Sequence, residues 1–326
     1  MYLVTGSAGL IGSAVVRELN QKGIMNIICV DHLGNSLKWK NLRSLIFNDY
    51  YEKDDFLKIL DNNNFWKNIK GIIHLGACSS TTENDASYLI KNNFEYSKNI
   101  AIKALEYNIR MIYASSAATY GNGENGFDDD INKIKSLKPL NPYGYSKHLF
   151  DLWLKHHNYF NKNLFVGLKY FNVFGPNEYH KGNMQSMVLK GFRQIKQDGK
   201  IRLFKSYHPD YEDGKQMRDF LYVKDAAKMT VFFLLENQNA TGIFNIGSGK
   251  ASTWLELAEA IFEAMNLKPN IEFIDMPEEL QKAYQYFTQA PIKRLKDAGY
   301  HYPITSLKEA IFDYVKNYLL KDEAHA

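Results

Sequence analysis

Cysteine is scarce in this chain: Cys29 and Cys78 are the two in 326 residues. Two thiols cannot frame a disulfide-stapled fold of this length, and each sits in an apolar stretch that reads as a buried strand or its end, which suits a reduced, cytoplasmic protein. They are also too few for a metal centre. The adjacent pair His156-His157 has no cysteine or carboxylate spaced to join it and reads as helix surface, so no metal is expected. Charge of one sign is lacking as well: the formal net charge is +4, without a long basic run, which leaves no footprint for nucleic acid. Long apolar runs are missing too. After the N-terminus the longest is VFFLL at 231–235, far too short for a bilayer. The opening MYLVTGSAGLIGSAVV has no positive leader and is broken by glycines at spacing three, so neither a membrane span nor a secretion signal is expected.

What is present suits a globular protein of one large domain or two ordinary ones. Short runs rich in Val, Ile and Phe (YLVT, IICVD, GIIHLGA, RMIYASS, LFVGLKYFNVF) alternate with helical patterns near 10–22, 84–107 and 143–160. Continuous apolar strands alternating with helices of this length predict a parallel sheet covered on both faces, the doubly wound α/β class. Beyond Pro176 the rhythm loosens into a polar, turn-rich stretch, SYHPDYEDGKQ at 206–216, followed by RDFLYVKDAAK, GIFNIGSG and a helix from Trp254. The expected division is a Rossmann domain at 1–170 with a return segment at about 218–242, and a smaller α/β substrate-binding domain at 171–326.

Gly6, Gly9 and Gly12 in TGSAGLIG follow the first strand directly and open a helix. That context suits a dinucleotide: a tight turn, a backbone free of Cβ atoms beside the pyrophosphate, close helix packing, and phosphates on free amides at the helix N-terminus. The acidic residue ending the second strand, Asp31, is placed to bond a ribose hydroxyl, which favours NAD over NADP. Lys38 and Lys53 lie where either could offset a 2′-phosphate, or be plain solvated surface.

In PLNPYGYSKHLFD, Tyr143 and Lys147 are four apart at a helix start and share one face, whereas Tyr145 is two from Lys147 and is expected to pack elsewhere. A phenol ionises near pH 10, and bringing it to neutrality requires roughly 4 kcal/mol of phenolate stabilisation, in the direction a neighbouring ammonium acts. Ser116, ending the strand RMIYASS at the ligand-facing edge of a parallel sheet, can bond a substrate oxygen.

With TGSAGLIG, YASSAATYG and YGYSK on one chain, the sequence resembles the extended short-chain dehydrogenase/reductase superfamily. HLGACSSTTE, YFNVFGP, HKGNM, RDFLYV, FNIGSG and AYQYFTQA, in this order over nearly the whole length, resemble the ADP-L-glycero-D-manno-heptose 6-epimerase family within it. The resemblance implies a tightly bound NADP, NAD being the alternative, that takes hydride from C6″ of an ADP-heptose and returns it to the opposite face, with two acid/base groups because hydroxyl and hydrogen exchange places. It assigns those groups to Tyr143 and Lys181, the nicotinamide ribose and tuning of the tyrosine to Lys147, and the substrate hydroxyl to Ser116. It lines the cofactor with Leu10, Ile11, Asp31, His32, Lys38 and Lys53, the segment Leu75, Gly76, Ala77, Cys78 and Ser79, and Asn92 and Val173. It holds the sugar nucleotide with Asn172, Asn183, Lys190, the segment Phe204, Lys205, Ser206 and Tyr207, and Arg218 and Tyr284, a guanidinium being apt for a diphosphate. It also implies a homo-oligomer, a pentamer in the family, making heptose for the lipopolysaccharide core.

The chain departs from the familiar pattern at Asn183 and Lys190, where serine and histidine are usual, at Leu75, where glutamate is usual, and in the insertion at 206–216. A dehydratase would place an Asp-Glu pair after the active-site hydroxyl, and here Ala117-Ala118 follows Ser116. A UDP-sugar 4-epimerase shares Tyr143 and Lys147 without HKGNM, and a non-catalytic member would have lost them.

Overall fold

The computed structural model describes residues 1–281, 284–321 and 325. In chain order its first strands are β1 (Tyr2–Thr5), β2 (Ile27–Asp31), β3 (Asp49–Glu52), β4 (Gly71–His74), β5 (Met111–Ser116) and β6 (Phe165–Tyr170). They are followed by β7 (Asn172–Phe174), β8 (Ile201–Phe204), β9 (Met217–Tyr222), β10 (Gly242–Ile246), β11 (Ala251–Thr253) and β12 (Ile271–Ile274). Among the described residues, seven of these pair in parallel in the order β10-β6-β5-β4-β1-β2-β3.

Alternation builds the two layers. Leu3, Ile72 and Met111 point to one face, into a core with Trp66, Tyr113 and Phe150, while Val4, Ile73 and Ile112 point to the other, against Val15, Val16 and Phe233. Helix Leu10–Gln21 packs its apolar stripe on helix Val223–Leu235, and helix Pro142–His156 covers the first face. The sheet order reverses between β1 and β4, and the crevice beyond the strand ends at such a switch point is where open α/β sheets take ligands. A third core joins Phe174, Phe192, Ile261 and Tyr314 beneath two small sheets, β11-β9-β7 and β12-β8.

Four local expectations change. The run LFVGLKYFNVF is two strands: β6 stays in the large sheet, and β7 turns off after Phe171 to pair with β9. The helix expected over 84–107 begins at Ala86 and is interrupted by a π-helical segment, Ile90–Glu95, before resuming at Tyr96–Glu106. A π turn rotates the helix face, and here it turns Asn93 inward to bond partners beside the crevice. The helix from 143 ends at His156 because Asn158 adopts a left-handed conformation, φ +55°. Cys29 is buried in β2, but Cys78 lies half-buried in the loop beyond β4 and not in a strand. Ala283, the first residue of AYQYFTQA, lies outside the described residues.

Candidate active site

The loop after β1 is built so that only glycine fits. Gly6 has φ +68°, and a Cβ there would stand 2.7 Å from the Gly76 nitrogen; one on Gly12 would stand 1.9 Å from the Gly6 oxygen. Gly9 is the N-cap of helix Leu10–Gln21, and no side chain caps that helix, so its first amides face the crevice without a side-chain partner. A backbone cradle at an uncapped helix N-terminus fits a pyrophosphate.

Asp31, at the end of β2, accepts from the Ala8 and His32 N–H groups, each at 2.7 Å, and from the Lys38 ammonium. Its charge is therefore already paired. Lys38 also donates to the His32 carbonyl at 3.2 Å, the exposed His32 ring lies 3.3 Å from Glu52, and Lys53 donates to Asn92 Oδ1 at 3.0 Å. Lys38 and Lys53 thus both stand just beyond the ends of β2 and β3. On the β4 side, the Leu75 N–H bonds the Thr5 carbonyl and the Gly76 N–H bonds Thr5 Oγ1, which also meets His74. Asn93 fastens Cys78 at both its N–H and its carbonyl and donates to Ser146 beside Lys147, leaving Ala77 half-buried and Ser79 exposed.

Tyr143 stands in the first turn of helix Pro142–His156, which Asn141 caps by accepting from the Gly144 N–H at 2.7 Å. Gly144 lets this helix lie against the turn after Ser116: a Cβ there would stand 2.8 Å from the Ala118 carbonyl oxygen. Burial pushes the Tyr143 phenol up, with the Ser116 hydroxyl acting in the opposite direction, and pushes the Lys147 ammonium down to about 8, against the field of Asp151. Spacing alone predicts that the lysine draws the phenol down; in the protein desolvation is the larger effect on both groups, and Ser116 is what opposes it at the phenol. Tyr145, expected to pack, is 49% exposed, because two positions along a helix from the buried stripe points to solvent.

Lys181 stands in a 3-10 turn, Tyr179–Met184, bent at Gly182 with φ +51° and ψ −124°. The Glu178 carboxylate, 1% exposed, closes this turn by accepting from the Ser186 hydroxyl at 2.7 Å, the Ser186 N–H and the Gly175 N–H. Burial lowers the Lys181 ammonium, with Glu178 opposing. The turn reaches the crevice from its far side: Thr81 Oγ1 lies 3.6 Å from the Met184 sulfur, and Asn41 bonds both the Ala8 and the Asn177 carbonyls.

The residues expected to hold the sugar nucleotide fall into two groups. Arg218, 8% exposed, lies 5.2 Å from the Tyr284 ring and 5.8 Å from the Trp254 ring, and Tyr284 accepts from Trp254 Nε1 at 2.9 Å. The insertion folds back on this cluster, with the Ser206 N–H on Asp213, the Tyr207 N–H on the Tyr286 hydroxyl, and the His208 and Tyr211 rings against Tyr286. Phe204 ends β8, and Lys205 and the Tyr207 hydroxyl both meet Asp275. The other group lies by Lys181: Asn183 takes the Lys190 ammonium on its carbonyl at 2.7 Å, while Asn172 is exposed and Val173 half-buried in β7. Sequence reasoning missed Asn93, Asp151 and Glu178. Only Asp151 carried a signal, its four-residue spacing from Lys147.

A sequence profile of the NAD dependent epimerase/dehydratase family matches residues 2–247. A protein of Nitratidesulfovibrio vulgaris named ADP-L-glycero-D-manno-heptose-6-epimerase is 48% identical over 325 residues, covering 100% of both chains. One of the same name from Fusobacterium nucleatum is 46% identical over 334 residues, again covering 100% of each. Among solved structures, the ADP-L-glycero-D-manno-heptose-6-epimerase of Helicobacter pylori superposes with a TM-score of 0.79 at 25% identity, covering 97% of this chain and 95% of that one. The UDP-glucose 4-epimerase of Thermus thermophilus, a complex with NAD, superposes at 0.75 and 22% identity, covering 97% of each, which speaks for the fold.

Proposed function

The chain belongs to the NAD dependent epimerase/dehydratase family and, within it, to the ADP-L-glycero-D-manno-heptose-6-epimerases, and from that premise we propose that it converts ADP-D-glycero-β-D-manno-heptose to its L-glycero epimer at C6″. The observation that carries this reading is the match to relatives of that name over the whole length. The cofactor half is residues 1–170 with the return segment, and the substrate half 171–326. A nicotinamide bound there would accept the carbinol hydride and give it back, so no net oxidation results.

The remaining work falls to side chains. Removing hydride from C6″ requires the hydroxyl proton to leave at the same time, and returning hydride to the opposite face requires a proton delivered to oxygen from a different direction. Tyr143 and Lys181 are the two proton-handling groups, Ser116 holds the reacting oxygen, and Lys147 holds the nicotinamide ribose and supplies positive charge near the phenol. Arg218 takes the diphosphate in its aromatic setting, beside Tyr207 and Tyr284. Lys38, resting on Asp31, offsets that carboxylate and favours the 2′-phosphate of NADP over NAD. The enzyme works as a homo-oligomer, pentameric as in the family, in the cytoplasm, supplying heptose for the lipopolysaccharide core.

Proton NMR of NADP-loaded protein with the D-glycero epimer tests the reading: the L-glycero epimer should appear, with no NADPH accumulating. If the starting epimer persists while the cofactor is fully bound, the assignment is wrong. UDP-glucose in the same tube should stay unconverted.

A further inference from the structure

Helix Pro142–His156 buries a third polar residue on the stripe of Tyr143 and Lys147. Asp151, four residues past Lys147, is 0% exposed. It accepts from the Tyr113 hydroxyl at 2.8 Å and the Ser115 hydroxyl at 2.7 Å, and both donors stand on β5, Ser115 directly before Ser116. Two neutral donors orient a carboxylate but do not neutralise it, and a buried charge without counter-charge is strongly disfavoured.

The counter-charges come from two elements. Lys147 lies on the same helix. Lys169, on β6 and 0% exposed, is the register partner of Ser115; its ammonium donates to Thr119 Oγ1 at 2.7 Å and stands 4.1 Å from the centre of the Tyr120 ring. Thr119 in turn donates to the Ser116 carbonyl at 2.8 Å, so this cluster lies directly behind the turn that positions Ser116. Other titratable groups face it from every side. His148 is buried with Nδ1 unpartnered and feels both Asp151 and Lys169. On β4, burial and the charge of Lys147 hold His74 at about 3, hence neutral. Asp129 acts on Lys169 and Tyr120, and Cys78 acts on Tyr143. Asp151 is thus the carboxylate common to Lys147, His148 and Lys169.

We propose that Asp151 is a positioning residue for the reaction, the counter-charge that keeps Lys147 an ammonium while Tyr143 works, with Lys169 as a second cation on the same carboxylate. This rests on the roles given to Tyr143 and Lys147 above. Burial lowers both lysines to about 8, and in each case Asp151 is the first charge opposing it. Removing Asp151 therefore lets Lys147 lose its proton at a lower pH, while removing Lys169 takes a like charge out of the same buried cluster and so favours the Lys147 ammonium.

The test is kcat against pH for wild type, Asp151→Asn and Lys169→Met, with NADPH affinity followed over the same range by fluorescence. In Asp151→Asn the alkaline limb of both profiles should move down by about one pH unit, so that turnover falls about tenfold at about pH 8.5 and returns near wild type at about pH 6.5. In Lys169→Met the limb should move up. That second variant removes one of two cations and leaves Asp151 with Lys147 and its two hydroxyl donors, so it decides the matter if Asp151→Asn does not fold. A loss uniform in pH with an unmoved limb, or a Lys169→Met limb that stays or falls, would make Asp151 a packing residue only. Wild type that binds NADPH but converts no ADP-heptose would instead sink the proposed function, with the binding limb still judging Asp151.

Discussion

Tyr143 stands on a 15-residue helix whose first turn is capped by Asn141 and pressed by Gly144 onto the turn after Ser116. Lys181 stands in a 6-residue 3-10 turn bent at Gly182 and closed by Glu178. The helix-borne group is held redundantly, by backbone bonds, by Phe150 and Leu154 of the same helix buried in the core, and by a buried polar cluster. The turn-borne group is held by fewer and more local restraints: the Glu178 carboxylate, the bend at Gly182, and the Gln185 amide on the Tyr179 carbonyl at 2.7 Å. Two groups proposed to act in the same reaction therefore differ in tolerance to change, and substitutions in the two regions should separate stability from activity.

The largest effects belong to the groups themselves. Tyr143→Phe and Lys181→Met should each lower epimerase turnover by about 10²–10⁴-fold, the range for removing a positioned acid or base, while NADP still binds. Single-turnover NMR with each variant checks this. If Lys181→Met retains most of its turnover, the turn is a wall and Tyr143 serves both faces.

These two regions also differ in how far they could be read in advance. The glycine triplet and the Tyr143–Lys147 pair obey local rules, spacing three after a strand and spacing four in a helix, so the sheet's switch point and one face of the site were legible. Lys181 carries no periodic signal, and its weight came only from resemblance. Glu178 was illegible because its partner Ser186 is eight residues on, across a turn whose bend depends on Gly182. Lys169 was hidden by register: in an apolar run it passes for a strand-end residue, and only the pairing of β5 with β6 sets it opposite Ser115. Desolvation was the other blind spot. Spacing indicated which charges are neighbours, but not that burial would outweigh them at Tyr143 and Lys147.

A smaller effect isolates the closure of the turn. Glu178→Gln keeps an oxygen for Ser186 but removes the charge that opposes the desolvation of Lys181, so Lys181 should lose its proton at a lower pH. Charge-assisted bonds to Ser186 and Gly175 weaken together, and turnover should drop about tenfold with NADP affinity unchanged. Steady-state kinetics beside cofactor titration measures both. An equal loss of cofactor affinity would mean that Glu178 supports the sheet and not the turn.

The smallest effects give the cleanest contrast. At Gly182 a Cβ would meet nothing within 4 Å, so Gly182→Ala adds no clash and costs only the backbone conformation, about 1–3 kcal/mol for φ and ψ that side-chain-bearing residues avoid. Because the turn can relieve that strain by shifting locally, the cost should surface as a few-fold drop in turnover with little change in Tm. Asn141→Ala removes the cap of a helix that is part of the main core and cannot shift alone, so about 1 kcal/mol should come off global stability while turnover per folded molecule holds. Thermal melts and kcat measured on both variants form a two-by-two comparison. If Gly182→Ala melts early and Asn141→Ala loses turnover, the turn is as much a part of the cooperative core as the helix, and the contrast between the two regions fails.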